Sequence, residues 1–235
     1  MPLLFSPLSD DILEGPFKPY PRSVFVMLHS GKGVSRLEED IDAAVCSCLR
    51  RLRYDVKKAS RQTGTKDYLE KIVQLIRGCG FGIAIFSEYT PAPTLANIFF
   101  EIGLCYVLGK TVIIVKSAEA KPPSDFVRTE WIALQNGDMR RLREDIKKAV
   151  GTVNNAASYY ESLGDLAMDA EEVDVELAFE RYRQSVLIGN RRTARTKIKA
   201  LLKRLAKEKE TAPLLRASRT RLRKSIQEFD TLLPE

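Results

Sequence analysis

One carboxylate of this chain stands among apolar neighbours, where an acid can take part in chemistry. Glu101 lies in the segment LANIFFEIGLCYVLGK, between two strand-like apolar runs, within a helix that is apolar nearly all round. Asn97 and Cys105 are four residues away on either side, so the three share one helical face. Burial of a carboxylate without partners costs free energy and raises its pKa. The pattern therefore favours an acid that faces a cleft over the ordinary alternative, a solvated surface acid.

A second group of candidate residues follows the first apolar run of the chain. The loop reads HSGKG, and it precedes a helix whose start is capped. Glycines let a backbone approach a phosphate, and a helix N-terminus favours an anion, but the Walker A spacing is absent. The loop is either a phosphate-binding loop or a tight turn, and its histidine is either a proton shuttle or ribose contact or an ordinary loop residue. Its candidate substrate-binding residues are His29, Ser30, Gly31, Lys32 and Gly33.

Polar residues in later loops complete the candidate site. Ser60 ends the second predicted strand, Tyr89 follows the third, and Asp125 follows the fourth in the sequence PPSD. Tyr89 could stack on a base, and Asp125 could contact a ribose. Glu88 is a weaker candidate, because a loop acid is easily solvated. The four cysteines include no CxxC pair and the chain has one histidine, so we expect no metal and no cofactor.

Apolar strands that alternate with helices would position these residues. Continuous apolar runs of this kind predict a parallel sheet that is covered on both faces. We expect an α/β, flavodoxin-like sheet of five strands in the order 2-1-3-4-5, with its ligand site where the order reverses between strands one and three. The predicted strands are Ser23–Leu28, Tyr54–Ser60, Phe81–Phe86, Thr111–Lys116 and Trp131–Leu134.

Capping signals give the predicted bounds of the helices. Ser35 and Glu38 form a capping box, Thr94 is a plausible N-cap, and Asn136–Gly137 is a turn signal before another helix. The predicted helices of the α/β region are therefore Ser35 to about Leu52, Asp67–Arg77, Thr94–Gly109 and Met139–Val150.

Composition divides the chain into three parts. Residues 1–22 hold five prolines and predict an extended arm, 23–150 form the α/β domain, and 151–235 are helical. We expect this last region to mediate homo-oligomerisation or to bind a protein partner. One helix pair in it has tetratricopeptide-like spacing, carried by Tyr160, Leu163, Gly164, Ala167, Ala178, Tyr182 and Ser185.

The formal net charge of +7 is unevenly distributed. Residues 154–180 hold eight acids and no Lys or Arg, whereas between Arg181 and Lys224 the only acids are Glu208 and Glu210. Such a basic segment indicates a nucleic-acid site, or else helices that pack near the acidic segment or are solvated. Base-stacking aromatics are absent from Arg191–Lys224, which favours the second interpretation. With no membrane-length apolar run and no recognisable secretory signal, we expect a cytoplasmic protein without membrane contact.

The string LANIFFEIGLCYVLGKTVIIVK, followed by PPSDF, resembles a signature of bacterial TIR-like and nucleoside 2-deoxyribosyltransferase-like proteins. The resemblance spans about 23–150 and is strongest over 81–126. It implies the same sheet, with Glu101 as the residue that cleaves an N-glycosidic bond. The loop LHSGKG departs from the apolar-Pro-Phe-Gly form of these families, and the second loop is only loosely like the TIR loop that gates the site. The matching residues are Asn97, Glu101, Gly103, Gly109, Lys110 and Ser124–Asp125.

The resemblance implies a TIR-like NAD+ glycohydrolase or ADP-ribose cyclase of bacterial antiphage defence, for which NAD+ is the substrate. Glu101 would stabilise or attack the oxocarbenium-like ribose carbon, and Asn97 would orient Glu101 or bind a ribose hydroxyl. Two alternatives stay open. One is a nucleoside or nucleotide N-glycosidase or deoxyribosyltransferase that uses the same glutamate. The other is a non-catalytic nucleotide-sensing or adaptor module.

Overall fold

The structure, a computed structural model, describes residues 18–59, 68–123, 131–171, 173–207 and 213–233. Within these ranges, strands and helices alternate over residues 23–117, a fifth strand follows, and the elements after it are helices. The elements are β1 (Ser23–Met27), α1 (Arg36–Arg51), β2 (Asp55–Lys57), α2 (Tyr68–Gly78), β3 (Phe81–Phe86), α3 (Ala92–Val107), β4 (Val112–Ser117), β5 (Trp131–Leu134), α4 (Met139–Asp169), α5 (Val175–Gly189), α6 (Arg192–Lys207) and α7 (Pro213–Leu232).

The five strands form one parallel sheet in the order β2-β1-β3-β4-β5, which confirms the predicted flavodoxin-like topology. Val24 of β1 is in register with Phe81 of β3, and Gly82 of β3 with Val112 of β4. Because all strands are parallel, the loops that follow β1, β3 and β4 leave the same edge of the sheet. The order reverses between β1 and β3, where the chain crosses to the other side.

Alternate side chains of each strand enter two different cores, as the pleat of a strand requires. Val24 and Val26 pack with α1 and α4 on one face. Phe25 and Met27 pack with α2 and α3 on the other face. Since both faces of the sheet are covered, the strands can be apolar along their whole length, and this is why they were recognisable in the sequence.

The predicted element bounds hold in part. The capping box of Ser35 and Glu38 is present at the start of α1. The predicted N-cap Thr94 is wrong, because α3 begins at Ala92 and has Pro91 as its N-cap residue, without a side-chain bond. Proline is tolerated in a first helical turn, where its missing N–H would have no partner in any case. β2 is shorter than predicted, and it pairs only with β1.

α4 is one continuous helix of 31 residues, whereas the sequence predicted a helix that ends at Val150. The predicted boundary between 150 and 151 lies inside it, and the division of the chain into domains stays a prediction. α4 and α5 form the expected antiparallel pair: a Cβ added to Gly164 would lie 2.4 Å from the Tyr182 ring. The small residue is therefore required for the close approach of the two helices.

The end of α5 reaches the amino edge of the sheet. Ile188 belongs to the same hydrophobic core as Val24 and Phe81. The backbone N–H of Arg22 donates to the Leu187 carbonyl over 2.8 Å. Among the described helices, none is long and apolar enough to span a bilayer.

Candidate functional site

A buried carboxylate joins the loops that follow β1 and β3. Glu38 is 3% exposed and lies in the first turn of α1. Its carboxylate accepts hydrogen bonds from the Ser35 backbone N–H and hydroxyl, both at 2.9 Å, and from the Thr90 hydroxyl at 2.5 Å. The His29 Nδ1 atom lies 3.4 Å from the same carboxylate. The loops that follow β1 and β3 thus meet at this edge of the sheet, and Glu38 is the group that links them.

Hydrogen bonds keep Glu38 ionised in spite of its burial. Burial alone raises the pKa of the Glu38 carboxyl, but the donors on Thr90, Ser35 and His29 outweigh that effect and hold the pKa below its usual value. His29 is 7% exposed. If Nδ1 carries the proton donated to Glu38, the acceptor lone pair of the neutral ring lies on Nε2. This pairing orients the only histidine of the chain.

Glu101 occupies the position on α3 that the sequence indicated. It is half-buried beside the buried residues Ile98 and Ile102, and burial raises the pKa of its carboxyl to about 7. No hydrogen bond or ion pair joins Glu101 to any residue of the described ranges. A carboxyl group with this pKa is divided about equally between its acid and carboxylate forms near neutral pH. This acid is desolvated, and no described residue stabilises its charge through a hydrogen bond or an ion pair.

The position of Glu101 between the amino and carboxyl edges of the sheet follows from the position of Cys105, one helical turn away. A Cβ on Gly82 would lie 3.3 Å from Cys105 Sγ, so Cys105 is level with the start of β3. Glu101 lies one helical turn nearer to the carboxyl edge of the sheet. It is nine residues from the start of α3, roughly 13 Å along the axis. Glu101 therefore stands behind the loops that carry His29 and Thr90, rather than on the edge itself.

The remaining predicted residues of the first loop face solvent. Gly31 and Gly33 have φ angles of 114° and 85°, and nothing lies within 4 Å of the position of a Cβ on either. Lys32 and Ser30 are exposed. Positive φ with open space beside the backbone is the arrangement that lets main-chain N–H groups meet an anion. The loop is compatible with phosphate binding.

Of the other candidates, Asn97 is exposed. Tyr89 is 61% exposed and precedes Thr90, the residue that binds Glu38. The Tyr89 ring is therefore free to stack. Ser60 and Asp125 lie outside the described residues.

Long-range polar contacts account for what the sequence did not reveal. Glu38 was recognised only as a capping residue, because its partner Thr90 is 52 positions away. Glu88 is bound by the hydroxyl of Ser117 at the end of β4. Lys116 is buried and donates to three backbone carbonyls, those of Ser117, Ala118 and Ala120. In the sequence, Glu38 is marked by its capping-box spacing and Glu88 by its place after a strand, whereas Ser117 and Lys116 have no such signal.

No group of three or more His, Cys, Asp or Glu side chains in the described ranges is arranged to hold a metal ion. Among the described residues, those of the glycine loop, Tyr89, Asn97 and Glu101 are available to hold a nucleotide.

The chain matches no protein-family model, and no curated protein matches it either.

Proposed function

We propose that the protein cleaves an N-glycosidic bond of a nucleotide, with NAD+ as its substrate and Glu101 as the catalytic carboxylate. One observation carries the proposal: the Glu101 carboxyl is desolvated, has a pKa of about 7, and has no partner among the described residues. Strongly perturbed acids that lack a structural partner are candidates for catalysis.

The chemistry fits a single carboxylate. When the nicotinamide–ribose bond breaks, the bonding electrons leave with nicotinamide as a neutral base, and positive charge develops on the ribose carbon. The Glu101 carboxylate stabilises that charge or bonds to the carbon, and water then completes hydrolysis. A second ribose hydroxyl group or a ring nitrogen in place of water would give a cyclised product. Neither route needs an acid to protonate the leaving group.

Other residues have roles in this proposal that match their surroundings. The backbone of Gly31–Gly33 and the exposed Lys32 would hold the pyrophosphate. Tyr89, which is largely exposed, would stack on a base, and Asn97 would contact a ribose hydroxyl. Glu38 stays ionised and orients His29, so it keeps the first loop against Thr90. Glu38 is a positioning residue here, because it acts through its neighbours.

Release of nicotinamide from NAD+ tests the proposal. We expect the wild-type chain to release nicotinamide, and we expect Glu101→Gln to lose at least a hundredfold in kcat/KM. Glu144→Gln on α4 is the matched control, since Glu144 is solvent-exposed and pairs only with Arg140. Silence of the wild type across all protein concentrations, or full activity of Glu101→Gln, would contradict the proposal. Release of free base from deoxynucleosides but not from NAD+ would select the nucleoside enzyme instead.

A second candidate is a non-catalytic nucleotide-binding module. The observation that favours it is the height of Glu101, roughly 13 Å along α3 from the loop edge. Calorimetry with ADP-ribose and NAD+ separates the two candidates. Binding that Glu101→Gln retains, with NAD+ recovered unchanged from the wild type, would select the binding module.

A further inference from the structure

α6 has two sharply different faces. Its buried face packs against the other C-terminal helices and consists of Ala194, Ile198, Leu201 and Leu205. The side chains on the opposite side of the helix all face solvent and include three cations. We call this set the α6 row, and its members are Arg192, Thr196, Lys199 and Lys203.

Two other basic side chains in and beside α6 pair with acids. Arg191 and Lys197 lie 2.8 Å and 3.0 Å from the carboxylate of Glu161, and Lys197 also pairs with Asp165 at 2.7 Å. The predicted packing of basic helices near the acidic segment is thus seen at these residues. It accounts for only one side of α6.

Three of the exposed cations of α4 are also matched. Arg140 lies 3.9 Å from Glu144, and Arg141 and Lys148 lie 3.9 Å and 3.5 Å from Asp145.

None of the three cations of the α6 row forms an ion pair with a described residue, which is also true of Arg143 and Lys147 on α4. The chain from Arg181 to Lys207 also contains no acid at all. The row is therefore a strip of positive charge without internal compensation.

We propose that the α6 row binds the phosphodiester backbone of a double-stranded nucleic acid, without reading its sequence. From the helical rise, Arg192 and Lys199 are roughly 10 Å apart along the axis, and Lys199 and Lys203 about 6 Å. A duplex carries one negative charge per about 1.7 Å of its length, so each cation meets a phosphate without an exact register. Thr196, whose hydroxyl donates to the Arg192 carbonyl over 3.1 Å, lies between them and adds no charge.

The composition of the row favours this partner over others. A membrane-surface helix needs large apolar side chains on its lipid-facing side, and the α6 row has none. The described part of α6 has no aromatic residue on which an unpaired base could stack, which favours a duplex over a single strand. An acidic protein would need carboxylates placed to match three cations, whereas a regular polyanion does not.

The test compares two triple variants of the full chain. R192Q/K199Q/K203Q removes the α6 row, and R140Q/R141Q/K148Q removes three paired cations of α4; each lowers the formal net charge of +7 by three. Fluorescence anisotropy measures the affinity for labelled 20-base-pair duplex DNA and duplex RNA of arbitrary sequence between 50 and 200 mM salt. Phosphatidylserine vesicles form a third arm, and circular dichroism checks folding.

For the wild type we expect a slope of log K against log salt near −2.7, about a fortyfold loss of affinity across this range. We expect the α6-row variant to lose the binding at 50 mM salt and the α4 variant to keep both affinity and slope. Duplex DNA and duplex RNA share the backbone, and the two arms show which of them is bound. Equal losses in both variants, a wild type that ignores both duplexes, or binding to vesicles alone would overturn the proposal.

Discussion

The Thr90 hydroxyl donates a hydrogen bond of 2.5 Å to the Glu38 carboxylate, and so connects the loop after β3 to the start of α1. The same hydroxyl accepts a bond of 2.8 Å from the Ser87 backbone N–H. A single side chain therefore shapes its own loop and fixes it to the neighbouring one.

We expect Thr90→Val to destabilise the protein by about 1–3 kcal/mol, because the buried carboxylate loses a donor and the Ser87 N–H an acceptor. Thr90→Ser is the control, since it keeps the hydroxyl. Urea unfolding at pH 7 measures both variants. If the valine variant is as stable as the wild type, Glu38 does not depend on this bond.

We expect Glu101 to make stability fall as the pH rises from about 4.5 to 7. Burial raises the pKa of Glu101 from 4.5 in the unfolded chain to about 7 in the folded chain. Its contribution to the free energy of unfolding is therefore fully present below pH 4.5 and is lost as the pH rises through 7. Glu101→Gln lacks this loss, and its free energy of unfolding should gain about 1–3 kcal/mol relative to wild type between pH 4.5 and 8. A gain of similar size in Glu144→Gln would show that the effect is not specific to Glu101.

We expect the activity of the proposed enzyme to follow the same ionisation. Only the carboxylate form of Glu101 can stabilise positive charge on ribose. The value of kcat/KM for NAD+ should therefore rise about tenfold per pH unit below 7 and level off above it. A profile that is flat from pH 5 to 8 would exclude Glu101 as the group whose ionisation limits the reaction.

We expect Lys110 to make stability rise with pH above 7, the opposite of the effect of Glu101. Burial, aided by the Arg183 guanidinium, lowers the pKa of Lys110 to about 7, and its ammonium donates to Gln184 Oε1 over 3.2 Å. The pKa of Lys110 is 10.5 in the unfolded chain and lower in the folded chain. Its contribution to the free energy of unfolding is therefore fully present above pH 10.5 and is lost as the pH falls through 7. Between pH 7 and 9 the free energy of unfolding of wild type should rise by about 2 kcal/mol relative to Lys110→Met.

The control for that experiment is Lys148→Met, an exposed position on α4. Its stability should follow the wild type across the same pH range. If Lys110→Met also follows the wild type, Lys110 is not the group that titrates.

Two glycines of α4 give opposite predictions for the same substitution. Gly164→Ala places a methyl group 2.4 Å from the Tyr182 ring and should destabilise by about 1–3 kcal/mol. Gly151→Ala meets nothing within 4 Å and should stabilise by about 0.5–1 kcal/mol, because alanine favours the helix. Thermal unfolding of both variants provides the measurement. Equal shifts of both would mean that α4 and α5 are not packed at Gly164.

Buried strands and tight turns were predictable, because short stretches of sequence determine them. The run FGIAIF is β3 because every residue in it is buried, and the Asn136–Gly137 turn appears because both residues adopt positive φ. The predicted helix end at Val150 is wrong, because α4 continues through Gly151. One glycine in a helix costs only about 1 kcal/mol, which packing against α1 and α5 offsets.

Only the part of the candidate site that depends on local sequence, the apolar surroundings of Glu101, was predictable. The apolar context of Glu101 is visible in the sequence, and its desolvation follows. The contacts of Glu38 with His29 and Thr90 depend on which loops meet at the sheet edge, and no local spacing encodes them. Only the order of the strands in the sheet brings the loop of Thr90 to the capping residue Glu38.

The uninterrupted course of α4 has a thermodynamic consequence. Its first half belongs to the core that contains Val24, and Val153 and Ala157 beyond residue 151 belong to that core too. Ala167, near its end, belongs to the core of the C-terminal helices. The sheet and the C-terminal helices thus share one continuous helix, which couples the unfolding of the two cores. Calorimetric and van't Hoff enthalpies should coincide, as for one cooperative unit.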